Sequence, residues 1–150
     1  MANKIYTAAL VFLGWLAAMV GGWDSSFITL IIFMAVDFVS GLILAAVFHR
    51  STKSENGALE SHAGFKGLIR KGEILLVVLV AHRMDLAAGT TIIRDTVVIA
   101  FCTNELLSIV ENAGQMGVPI PAIITNSIEI LRKKGETTLT ATAAEEKKEE

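Results

Sequence analysis

Two long runs without charge constrain this chain more than anything else in it. Residues 5–23 carry no Asp, Glu, Lys or Arg, and residues 25–48 carry only Asp37. About 20 predominantly apolar residues in a helix span a hydrocarbon core roughly 30 Å thick. A soluble protein built on a single core is excluded, and 53% hydrophobic against 19% charged residues agrees with that. The first run lies close behind Lys4 and could belong to a signal peptide. Its charged end is thin, its apolar stretch exceeds the usual 7–15 residues, and no clear A-x-A site follows. A retained membrane helix is expected, with Trp23 at the interface. The Gly21-Gly22-Trp23-Asp24 connection is short, so the two runs are expected to form an antiparallel hairpin.

Residues 50–63 read as a polar loop, and residues 64–71 (GFKGLIRK) as a short interfacial helix. A weaker third span is expected over residues 74–93, interrupted by His82, Arg83 and Asp85. A fourth is expected over residues 96–116, ended by Gly117-Val118-Pro119-Ile120-Pro121 because proline cannot continue a helix. Residues 121–134 fit an amphipathic helix closed by Arg132, Lys133 and Lys134, with a disordered charged tail over residues 135–150. The expected fold is therefore all-α: an integral membrane domain over residues 1–134 with four transmembrane helices, or three if the first is cleaved. Lys and Arg concentrate between the second and third spans and after the fourth, which predicts a multi-pass protein with both termini in the cytoplasm.

Charge is divided unevenly. Up to Gly135 there are eleven Lys/Arg against ten Asp/Glu, and the last fifteen residues add five Glu against Lys147 and Lys148. No clustered basic surface suggests nucleic acid. Cys102, the single cysteine, reads as a small buried apolar side chain. Neither a metal-ligand cluster, a Ser/His/Asp arrangement, a phosphate-binding loop nor a dinucleotide fingerprint is present, so no enzyme and no cofactor is expected.

The informative residues are polar groups inside apolar runs. Asp37 would cost roughly 2.5–3.5 kcal/mol facing lipid and must find a partner or water. Ser40, Gly41 and Ala45 supply a small strip beside it for close helix approach. Asn104, Glu105, Ser108, Glu111 and Asn112 fall within an arc of about 120° on one helix, which must meet other helices, other subunits or water. His82 and Asp85 are placed to hydrogen-bond, and Arg83 calls for an acid, with Glu105 or Asp37 as candidates. These eleven positions (Asp37, Ser40, Gly41, His82, Arg83, Asp85, Asn104, Glu105, Ser108, Glu111 and Asn112) are candidate pore-lining or assembly sites. A proton relay or small ion channel through the intramembrane acids, or a purely structural membrane protein, remain open readings of the same residues.

Four blocks carry a family resemblance: Asp37-Phe38-Val39-Ser40-Gly41; residues 64–71; Ala81-His82 with Asp85; and residues 104–112 followed by G-V-P-I-P. Over roughly residues 30–134 the chain resembles the phage lysis and toxin-secretion holins, the clostridial toxin-secretion group among them. The resemblance implies a homo-oligomer in the bacterial cytoplasmic membrane that opens non-specific lesions, with the lipid bilayer and other copies of itself as partners. An endolysin, or in some systems a toxin, would leave through the lesion without direct contact. It implies no catalytic residues.

Overall fold

The computed structural model describes residues 2–49 and 61–131, together with Lys133 and Thr137. Of the expected loop over residues 50–63, residues 61–63 belong instead to the first turn of a helix, and residues 50–60 lie outside the described residues, as does the expected charged tail apart from Thr137. The helices are α1 (Ala2–Met19), α2 (Ser25–Ile43), α3 (Ser61–Ala88), α4 (Ile92–Gln115) and α5 (Ala122–Leu131). Leu44–Phe48 continues α2 as a π-helical turn, and His49 at φ 51° ends it in the left-handed conformation.

The helices follow from local signals. Asp24 caps α2 by accepting the Phe27 N–H at 2.8 Å, which satisfies a donor the first turn leaves open. The buried residues of α2 are Phe27, Leu30, Met34 and Asp37, with Leu44 one heptad further on. That 3-4-3 spacing is a seam along one helix face. Val98, Cys102, Glu105 and Asn112 form the matching seam of α4, and Val78, Ala81 and Asp85 that of α3. The core is the meeting of these seams, with Val20 joining it from just beyond α1. Burial, with the nearby Glu105 charge, pushes the Cys102 thiol up to about 11, so it stays a protonated core side chain.

Side-chain contacts fix the directions. Arg94 meets Asp24 while Asn112 meets Asp37 and Ser40, so α4 runs parallel to α2. Lys71 meets Asp37, and Asp85 reaches the start of α4, so α3 runs antiparallel to both. The Gly117 turn ends α4: at φ +81° it lets Val118 N–H bond Ala113 O and Gly117 N–H bond Gly114 O, both at 3.0 Å. These are the paired bonds of a Schellman stop, so the helix ends four residues before Pro119.

The fold is all-α among the described residues, but the expected span count is corrected. One helix there, Ser25–Phe48, is long and apolar enough to cross a membrane. Four spans, or three, and the multi-pass topology with both termini on one side, are not supported. In α1, 18 residues long and reaching only to Met19, the charge-free part begins at Ile5 and rises about 22 Å, short of the hydrocarbon core. The expected interfacial helix and third span are one helix, Ser61–Ala88, whose charge-free stretch between Glu73 and His82 is only eight residues. Arg94, Asp95, Glu105 and Glu111 break up α4 in the same way.

Candidate functional site

A polar network joins α2, α3 and α4 at the middle of the bundle. Lys71 of α3 sits between two carboxylates, donating to Asp37 Oδ2 at 2.8 Å and to Glu105 Oε2. Asn112 Nδ2 donates to Asp37 Oδ1 at 3.2 Å and to Ser40 Oγ at 2.9 Å, and the Ser40 hydroxyl donates to the Asp37 carbonyl at 3.0 Å. All three charged side chains are 12% exposed or less. Gly41 lies beside Asn112, where a Cβ would sit 3.7 Å from Asn112 Nδ2, an ordinary contact. An open apolar groove between α2 and α3, lined by Met34, Phe38, Leu68 and Leu75, has Lys71 in its wall.

A second cluster ties the helix ends together. Asp85 accepts from the Thr90 hydroxyl at 2.5 Å and from the N–H groups of Ile93 at 3.1 Å and Arg94 at 2.8 Å. It therefore caps α4 from the preceding helix, where Thr91 makes no side-chain cap bond. Burial opposes its charge, but the bonds from Thr90, Arg94 and Ile93 outweigh it, with His82 adding a smaller attraction, and its pKa lies below the ordinary value. Arg94 donates through Nε to the Val20 carbonyl and through a terminal nitrogen to Asp24, and it lies 5.8 Å from the Phe27 ring centre. Burial likewise opposes the Asp24 charge, while the Phe27 N–H and Arg94 hold its pKa down.

The structure brings together five of the eleven sequence candidates: Asp37, Ser40, Gly41, Glu105 and Asn112. Asn104, Glu111 and Arg83 are exposed, Ser108 and His82 half-buried. The α4 stripe divides because Glu105 and Asn112 lie within about 20° of each other on the wheel, while Asn104 and Glu111 fall about 80–120° away from them. Arg83 is not the counter-ion of Asp37 or Glu105; Lys71 is. Asp85 closes on the α4 backbone, with His82 contributing only charge. Lys71 and Arg94 were the residues sequence reasoning missed. A lysine three residues ahead of the apolar run 74–81 was the available signal for the first. Among the described residues no group of three or more His, Cys, Asp or Glu could hold a metal.

Comparison with known proteins places the chain in a family. Residues 14–133 match the bacteriophage holin family. The chain belongs to that family. An uncharacterised Listeria monocytogenes protein is 38% identical over 106 residues, 70% of each chain. A Clostridium perfringens protein, also uncharacterised, is 35% identical over 128 residues, 83% of this chain and 89% of its own. A probable holin of Bacillus phage phi105 is 33% identical over 97 residues, 64% of this chain and 66% of its own. No solved structure matches. Holins are non-enzymatic pore formers, which agrees with a sequence that carries no catalytic motif. Membrane association and self-association go with the family, and the Lys71 network lies inside the matched holin region.

Proposed function

We propose that this holin accumulates in the bacterial membrane with its polar network closed and then self-associates into non-specific lesions. The lesions dissipate the membrane potential and let an endolysin, or a toxin, leave the cell. One observation carries the reading: Asp37, Ser40, Lys71, Glu105 and Asn112 satisfy one another inside a single chain. Buried polar groups must be satisfied wherever they lie, so polar contacts decide which helix faces pair. A network that closes within one chain keeps a dilute protein inert. The same groups can close between copies or around water when the protein is crowded. Two buried carboxylates share the Lys71 ammonium in the closed form, and exchange of partners between copies gives each acid another way to be satisfied.

Inducible expression beside a cytoplasmic endolysin tests this. The expected result is a delayed, abrupt loss of membrane potential with release of the enzyme. Loss of potential with the enzyme retained overturns the large lesion in favour of a small channel through the same acids. Continued growth with the protein in the membrane overturns both.

A further inference from the structure

We propose that α5 is an interfacial helix that binds an anionic lipid surface, at the end of the molecule where α2 terminates. In α5, Ile123, Ile124, Ile128, Ile130 and Leu131 fall within an arc of about 160°, and Thr125, Asn126 and Glu129 lie opposite. Much of this apolar face is open: Ile123 is 71% and Ile130 65% exposed while Ile128 and Leu131 are half-buried, and the buried core cluster takes no residue from α5. A short helix of this kind, with bases at its end, suits the boundary between headgroups and acyl chains.

Position and charge select lipid as the occupant. Asn112 is level with Ser40 and Gly41 of the candidate span, so α4 stops close to where α2 ends at Phe48. The turn at Gly117 and the two prolines then start α5 near that same end. Antiparallel α3 brings the exposed bases Lys66 and Arg70 there as well, since Lys71 is level with Asp37. Arg132, Lys133 and Lys134 follow α5 directly in the sequence. Basic residues beside an inserted apolar face are attracted to anionic headgroups and indifferent to zwitterionic ones.

The test uses the full chain with Cys102→Ala, carrying an environment-sensitive dye at Ile123→Cys or at Asn126→Cys. Each is reconstituted into vesicles of phosphatidylcholine alone or mixed with phosphatidylglycerol, with a spin-labelled lipid as quencher. The dye at 123 should turn apolar and be quenched in the anionic vesicles, and the dye at 126 should stay in water. Arg132→Gln and Lys134→Gln should each lower the inserted fraction relative to the exposed one about fivefold. Position 123 in water in both vesicles overturns the proposal. So does an apolar signal the lipid label cannot quench, which would mean that a second copy or another protein covers the face. Equal insertion in both vesicles overturns the anionic preference.

Discussion

Lys71 shares one ammonium between two buried carboxylates, and that sharing sets the sign of its substitutions. Lys71→Met takes the ammonium from both acids, while Asn112 still donates to Asp37, and should destabilise the closed chain by about 3–5 kcal/mol, measured by denaturant unfolding in detergent. Glu105→Gln leaves a neutral Lys71–Asp37 pair with an amide in place of the second acid. Asp85 acts differently, as a cap, and Asp85→Asn should cost about 1–3 kcal/mol near neutral pH. Because the Asp85 pKa is lowered by folding, its contribution is present above the unfolded value of about 3.9 and disappears as pH falls through the folded value. Unfolding curves of the wild type and Asp85→Asn should therefore draw together only as the pH falls below the unfolded value, and a constant gap would remove the cap from the account. Asp37 and Glu105 were legible as candidates because a carboxylate in an apolar run is conspicuous. Their partner was not, because Lys71 lies in a stretch that already reads as amphipathic and only the α3 register brings it inward.

At the scale of elements, two glycines beside helix contacts differ in what they require. Gly41→Ala adds a Cβ in ordinary contact with Asn112 and should be tolerated, with up to about 1 kcal/mol gained from helix propensity. Gly21→Ala should cost about 1–3 kcal/mol. Its φ of +94° strains any side chain, and the new Cβ would lie 2.8 Å from Arg94 Nε. Comparing the thermal midpoints of the two variants checks both signs. The seam of α2 and the stop after α4 follow from spacing and turn residues that a sequence displays. The merging of residues 64–71 with the third expected span does not. Gly64, Gly67 and three bases suggest a break there, yet Lys71 has a buried partner on each side that carries the helix through.

For the whole molecule, apolar composition suggested several crossings, and among the described residues the structure narrows them to Ser25–Phe48. The reason is that Glu73 and Arg83 in α3, and Arg94, Asp95, Glu105 and Glu111 in α4, cut the apolar runs of these helices below the length of a span. The central claim is that the Lys71 network is a closed resting state that must open. It is tested most directly by the onset of membrane depolarisation in cells expressing the wild type, Lys71→Met and Glu105→Gln at matched membrane levels. The account predicts an earlier onset for Lys71→Met and a later one for Glu105→Gln. Onsets that do not move, or that move in the same direction, would contradict it.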